Sequence, residues 1–156
     1  MSDSSYRIAD EPAPGTLAHL AVNPLWPFVA AMFGGIWLSW SWFFLNGLAV
    51  GSPTQKREWL WIGAGVVGST LLLIALLSLI DAQVIGKEQV KYAFLLLVAW
   101  KLGVTYALYT LQSHSIELYE YYGGTLKNGA YVVAAAYFVS PQLTAALPSF
   151  FKILVS

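Results

Sequence analysis

The chain has 156 residues, of which 58% are hydrophobic and only 10% are charged, and its formal net charge is zero. About 25% of the residues of a typical soluble domain are charged, so this composition indicates a protein embedded in a lipid bilayer. The zero net charge excludes electrostatic recognition of nucleic acid. The lack of cysteine excludes disulfides, thiolate catalysis and cysteine metal sites, and we expect neither a metal nor a cofactor.

The chain is predicted to have two parts. Residues 1–24 are polar and contain prolines, which is typical of a flexible tail and unlike a cleaved signal peptide. Residues 25–156 contain four apolar runs and predict an all-α fold, a bundle of four transmembrane helices. About 20 helical residues cross a hydrocarbon core of about 30 Å. The predicted spans are approximately 26–48, 59–80, 92–111 and 130–155.

The fourth run is interrupted by Pro141. Its helix either kinks there and continues across the membrane, which we favour, or breaks so that the rest lies along the interface. The basic residues divide four against three between the two sides of a four-span topology, so the positive-inside rule does not orient the protein.

The second run contains "IGAGVVGST", which has the G-x-G-x-x-G spacing of a dinucleotide-binding turn. That turn needs a strand before the glycines and an amphipathic helix after them, whereas here the glycines lie inside one continuous apolar stretch. Small residues four positions apart instead let helix backbones approach closely in lipid, within one chain or between chains. We predict helix packing at Gly34, Gly35, Ala64, Gly65, Gly68, Ser69 and Gly103.

Lys101 is the one charged residue of the third run and lies near its middle. A lysine at that depth costs about 2.5–3.5 kcal/mol on insertion scales. The Leu, Val and Phe residues of the run return roughly 3–5 kcal/mol in total, so this segment still inserts, but with little margin.

Helical spacing places Thr105, Tyr109 and Gln112 on the same face as Lys101, and this polar stripe is expected to point inward. The apolar runs contain no carboxylate to pair with the lysine. Lys101 could therefore snorkel to the headgroups, be satisfied by a carboxylate or carbonyl of a partner chain, or hold an anionic substrate or relay protons.

The other polar residues give weaker signals. Asn46, near the end of the first run, could cap a helix or hydrogen-bond across helices. The sequence has two histidines, His19 and His114, which are too few for a metal or haem site within one chain, and it contains no Ser-His-Asp, P-loop or metalloprotease pattern.

The segment "FGGIWLSWSWFFLNGLAVGSPTQKREWLWIG" resembles a group of small, uncharacterised bacterial four-span integral membrane proteins. The matching residues are Gly34, Gly35, Asn46, Gly51, Lys56 and Arg57, followed by Gln112 and Gly123-Gly124. The resemblance covers about residues 33–124 and implies a multi-pass protein of the bacterial inner membrane, without an activity. The first loop is less basic than in that group, and Lys101 is not part of its pattern.

These observations predict a non-enzymatic accessory or structural subunit that packs against partner helices in a larger bacterial membrane complex. Its expected partners are the lipid bilayer and other membrane subunits or further copies of the chain. The alternative is a small oligomeric transporter or channel that uses Lys101 and the helix break at Pro141.

Overall fold

The computed structural model describes residues 12, 14–86 and 88–155, and throughout these residues the regular structure is helical apart from one isolated bridge between Val22 and Lys127. A short 3-10 turn at Ala18–Leu20 comes first. Six α-helices follow: α1 Leu25–Phe33, α2 Ile36–Val50, α3 Gln55–Asp81, α4 Val90–Tyr121, α5 Ala130–Ala145 and α6 Ser149–Val155.

Helices α3 and α4 form the long antiparallel pair of the fold. Their 27 and 32 residues correspond to about 40 and 48 Å at 1.5 Å per residue. Within the described part of the chain, these two helices are long and apolar enough to cross a membrane, while α2 is a shorter apolar helix. The predicted spans 59–80 and 92–111 lie inside them.

Helix α4 ends at Tyr121, ten residues beyond the predicted end of the third span at 111. This extension is amphipathic. It buries Ile116 and Tyr119 in an apolar cluster with Ala21, Ala49 and Val50, and this packing stabilises a helix that its polar composition did not predict.

The prediction of one continuous helix over 26–48 is also wrong, because the chain turns back at Gly34-Gly35. Gly35 has a φ of 85°, a conformation that residues with a β-carbon rarely adopt. Helix α1 ends before the glycine pair and α2 begins after it. We call α1 and α2 together the N-terminal hairpin.

Contacts at the open end of the N-terminal hairpin establish that its two helices run in opposite directions. Val22, which precedes α1, exchanges two hydrogen bonds with Asn46 near the end of α2. Gly129, at the start of α5, lies against the side chains of both Trp26 and Trp42. The residues that enter α1 therefore lie beside the last turns of α2.

The closed end of the N-terminal hairpin lies partway along α3 and α4. Ile36 and Trp40 pack with Val104 and Leu108 of α4, and Gly65 of α3 lies against the Trp40 ring. The turn is therefore level with the middle of the two long helices rather than with their far ends. Ser140 of α5 donates a hydrogen bond of 2.9 Å to the Gly34 carbonyl, which satisfies an acceptor that the broken helix leaves free.

The predicted fourth span, 130–155, is divided into α5 and α6. Helix α5 contains Pro141 within it and continues to Ala145, so the break lies at residues 146–148 rather than at Pro141. Helix α6 then packs Phe150, Ile153 and Leu154 against an apolar cluster of α3 and α4. Of the predicted flexible tail, residues 1–11 and 13 lie outside the described residues, whereas Ala21 and Val22 are buried.

Candidate functional site

A buried group of polar side chains lies where the end of α2, the start of α3 and the second half of α4 meet. We call it the Glu58 cluster. Its members are Asn46, Ser52, Glu58, Gln112 and Ser115, which are buried, and Thr54, which is half-buried. Glu58 is completely buried, which is rare for a carboxylate, and it lies in the first turn of α3.

The local sequence positions Glu58 by ending α2 sharply. Gly51 adopts the left-handed conformation, with a φ of 64°, and the Ser52 N–H donates to the Gly47 carbonyl at 3.0 Å, as in a glycine-terminated helix end. This turn places the Ser52 hydroxyl under the first turn of α3. The lack of a side chain at Gly47 is also required, because a β-carbon there would collide with the Glu58 carboxylate.

The Glu58 carboxylate accepts three hydrogen bonds, all from neutral groups. Its Oε1 accepts from Ser52 Oγ at 2.5 Å and from Thr54 Oγ1 at 2.9 Å. Its Oε2 accepts from Gln112 Nε2 at 2.7 Å. Such bonds offset part of the cost of burying its polar atoms. Ser115 Oγ lies 2.9 Å from Ser52 Oγ and extends the cluster along α4.

Two side-chain amides extend the cluster to the N-terminal hairpin. Gln112 donates from Nε2 both to Glu58 and to the Phe43 carbonyl, the latter at 2.6 Å. Asn46 Nδ2 donates to Gln112 Oε1 and to the Val22 carbonyl, each at 3.0 Å, and Asn46 Oδ1 accepts from the Val22 N–H at 2.9 Å. Every N–H of the two amides is therefore used.

The geometry of the Glu58 cluster suits a structural role better than catalysis. Its hydrogen bonds join the segment before α1 to α2, α3 and α4, and a fully satisfied buried network fixes one arrangement of the elements around it. Within the described residues there is no group of three or more His, Cys, Asp or Glu side chains that could hold a metal ion. The cluster's chemistry is that of one carboxylate held among neutral donors.

The second polar region is the predicted stripe on α4. Lys101, Thr105 and Gln112 are buried, and Tyr109 is half-buried against Phe28. Gln112 belongs to the Glu58 cluster, whereas Thr105 accepts a hydrogen bond from the Trp40 indole at 3.0 Å and donates to the Lys101 carbonyl. The stripe therefore divides into two parts: Gln112 binds Glu58, and Thr105 joins the Trp40 indole to the Lys101 carbonyl.

Lys101 has a hydrogen-bond partner within its own chain, and this partner is a backbone carbonyl rather than a carboxylate. Its ammonium group donates to the Ile153 carbonyl at 2.7 Å. Ile153 lies in the last turn of α6, where carbonyls have no partner along the helix and where the helix dipole favours a cation. Sequence patterns do not predict this contact, because it forms only when α6 folds back onto α4.

The small residues predicted to pack helices have three different environments. Three of the glycines pack against other helices. Gly34 lies against Ala136 of α5, and Gly68 lies against Trp100 of α4. Gly65 lies against both Trp40 of α2 and Val104 of α4. Ser69 is buried, and its hydroxyl has no hydrogen-bond partner among the described residues. Gly35 forms the turn of the N-terminal hairpin. Ala64 is exposed, and nothing lies within 4 Å of where a β-carbon of Gly103 would be.

Sequence reasoning missed Glu58, Ser52, Thr54 and Ser115. The predicted second span begins at residue 59, so Glu58 falls outside it, beside Lys56 and Arg57, which are both exposed. One sequence feature could have indicated the Glu58 cluster. Glu58 directly precedes the second apolar run, and two side-chain amides, Asn46 and Gln112, lie at the ends of the first and third runs. Comparisons with protein families, with curated proteins and with solved structures found no match to this chain.

Proposed function

We propose that this chain is a non-enzymatic integral membrane protein that acts as a structural subunit of a larger bacterial inner-membrane complex. The observation that carries the proposal is the distribution of polarity on the long helices. On α4, the buried face includes Lys101, Thr105 and Gln112, while Leu95, Leu96 and Tyr106 of the opposite face are exposed. Lipid around the bundle accounts for this arrangement, since a water-soluble helix has the reverse pattern.

In this proposal α3 and α4 cross the bilayer, and the two helices of the N-terminal hairpin and α5 pack with them in a bundle of five helices rather than the predicted four. The N-terminal hairpin enters the bilayer and leaves it on the same side, whereas the sequence predicts a helix that crosses the bilayer over 26–48. Non-helical backbone at membrane depth is tolerated where it is buried in protein, and the bond from Ser140 to the Gly34 carbonyl supports that placement.

The outer face of α3 is the surface proposed for a partner subunit. It has a shallow depression of about 720 Å³ lined by Trp59, Leu60, Gly63, Ala64 and Val67, together with Lys56. Nothing lies within 4 Å of where a β-carbon of Gly63 would be. Small residues in such a depression let a second helix approach closely, so the occupant we propose is a transmembrane helix of another subunit.

The test is native purification of the tagged chain and its Gly63→Leu variant, with mass spectrometry of the proteins retained. Gly63→Leu fills the depression without disturbing the fold and is expected to lose a partner that the wild type keeps. Gly103→Leu, which enters equally open space on α4, is the matched control. A wild-type chain that purifies as a functional monomer would refute the proposal, and a partner lost only from Gly103→Leu would place the interface on α4 instead.

The transporter or channel alternative has less support from the same contacts. It requires Lys101 to face a conduction path, but the lysine is bonded to the Ile153 carbonyl, and α5 continues through Pro141. Flux measurements in proteoliposomes compare the wild type with Lys101→Met. A loss of ion or anion flux in the variant would favour the alternative over the structural subunit.

A further inference from the structure

A lateral groove follows the seam between α2 and α5. Two cavities of about 360 and 220 Å³ make up the groove, and Leu38 and Val132 line both of them. Helix α5 packs instead on α1, where Tyr137 lies against Phe33 with ring centroids 6.1 Å apart. The seam is therefore left partly unfilled over most of the length of α5.

The two ends of this α2–α5 groove differ in chemistry. Lys127 and Asn128 line one end, together with Asn46 of the Glu58 cluster, whereas Leu38, Leu45 and Val132 line its length. The Lys127 backbone is fixed by a hydrogen bond of 2.8 Å from its N–H to the Ala21 carbonyl, while its side chain is exposed. The groove thus presents a positive charge at one end and hydrocarbon contacts along the rest.

The length of the groove matches one leaflet of a bilayer. From Ala130 to Val139, α5 rises about 14 Å at 1.5 Å per residue, and half of a hydrocarbon core of about 30 Å is about 15 Å. The charged end lies at the level of the Glu58 cluster and the other end at the turn of the N-terminal hairpin, which is level with the middle of α3 and α4.

The shape and charge of the groove favour a lipid as the occupant. A linear hydrocarbon chain fits its narrow apolar length, and a lipid phosphate complements the lysine at its charged end.

We propose that the α2–α5 groove binds one acyl chain of a phospholipid, with the lipid phosphate at the Lys127 ammonium group. The inference rests on the membrane embedding proposed above but not on the partner surface of α3. A bound lipid fills the seam and neutralises the exposed lysine.

The test uses the full chain, delipidated in detergent, and counts phospholipids retained per chain by native mass spectrometry during titration with phosphatidylglycerol. The wild type is expected to retain one molecule at low lipid concentration. Val132→Trp fills the groove and is expected to weaken retention by at least about tenfold. The matched control is Val98→Trp, because Val98 is 47% exposed on α4 and Val132 is 46% exposed in the groove.

The charged end is tested separately. Lys127→Gln is expected to weaken retention of phosphatidylglycerol about fivefold, the effect of one lysine near a membrane surface, and to leave retention of diacylglycerol unchanged. Lys91→Gln at the opposite end of the bundle is the control. Inorganic phosphate alone is expected not to bind, and its binding in place of the lipid would overturn the acyl-chain assignment.

The inference is overturned if Val132→Trp retains as much lipid as the wild type, or if Val132→Trp and Val98→Trp lose it equally. Loss of a protein partner from Val132→Trp with no change in bound lipid would assign the groove to that partner. A lipid-bound chain that purifies without partner subunits would support the groove while refuting the proposed subunit role.

Discussion

Gln112 on α4 and Glu58 on α3 are joined by a hydrogen bond of 2.7 Å between Nε2 and Oε2, although 54 positions separate them in the sequence. Both side chains are almost completely buried. The bond fixes the axial register between α3 and α4, since a shift of one residue moves either group by 1.5 Å. The second N–H of Gln112 donates to the Phe43 carbonyl and carries the same register to α2.

Substitution of Glu58 by alanine is expected to lower the free energy of unfolding by about 2–3 kcal/mol, because it leaves the buried donors of Ser52 and Gln112 without their acceptor. The measurement is thermal unfolding of the purified chain in detergent, followed by loss of the monodisperse peak in size-exclusion chromatography. Glu117→Ala is the control, since Glu117 is exposed on α4. Equal stability of the two variants would show that the Glu58 cluster does not hold the helices together.

Two glycine substitutions are expected to have opposite effects. Gly47→Ala places a β-carbon against the Glu58 carboxylate and the Gln112 amide and should destabilise the fold by about 1–3 kcal/mol, the usual cost of overpacking. Gly103→Ala, which meets nothing within 4 Å, should stabilise it by about 0.5–1 kcal/mol. The same unfolding assay measures both, and stabilisation by Gly47→Ala would contradict the close approach of Glu58 to α2.

Replacement of Lys101 by methionine is expected to free α6 while leaving the rest of the bundle intact. The variant loses the bond from the ammonium group to the Ile153 carbonyl, which at about 1.5 kcal/mol corresponds to roughly tenfold faster local opening. Hydrogen exchange of residues 149–155, read by mass spectrometry, tests this expectation. Lys91→Met removes an exposed lysine from the same helix and should not change the exchange of α6. Unchanged exchange in Lys101→Met would show that the bond does not hold α6.

The direction of the N-terminal hairpin can be tested by cysteine labelling, since the natural chain contains no cysteine. Single cysteines at the exposed positions Gly15, Pro53 and Val84 report on the segment before α1, the turn after α2 and the turn after α3. A membrane-impermeant maleimide added to one side of sealed vesicles is expected to label Gly15→Cys and Pro53→Cys together and Val84→Cys only from the other side. A continuous span over 26–48 would instead give opposite labelling of the first two.

The sequence predicted α3 best, because 22 uncharged residues between polar ends leave little choice for a helix. The predicted limits of 59 and 80 differ from the observed Gln55 and Asp81 only in the polar first turn. That first turn contains Glu58, so the error in the boundary concealed the centre of the Glu58 cluster. Hydropathy predicts that Glu58 is exposed to water. Its burial depends on hydrogen-bond donors from the turn after α2 and from α4.

The reversal at Gly34-Gly35 could not be read from hydropathy, because both arms of the N-terminal hairpin are as apolar as one crossing helix. The predicted role of the glycine pair is close packing, whereas in the structure Gly34 packs against Ala136 of α5 and Gly35 forms the turn. The extension of α4 was missed for the opposite reason. Residues 112–121 are polar in sequence, and only the tertiary contacts of Ile116 and Tyr119 show that they form part of the bundle.

The hydrogen bond between Asn46 and Gln112 joins residues 66 positions apart, and this separation has a consequence for biogenesis. At about 5–20 residues per second of synthesis, Asn46 leaves the ribosome roughly 3–13 seconds before its partner. During that interval the Asn46 amide lacks the acceptor that Gln112 supplies, and this hydrogen bond cannot form before residue 112 has been synthesised. The contact between α2 and α4 at this point therefore forms late in the assembly of the nascent polypeptide.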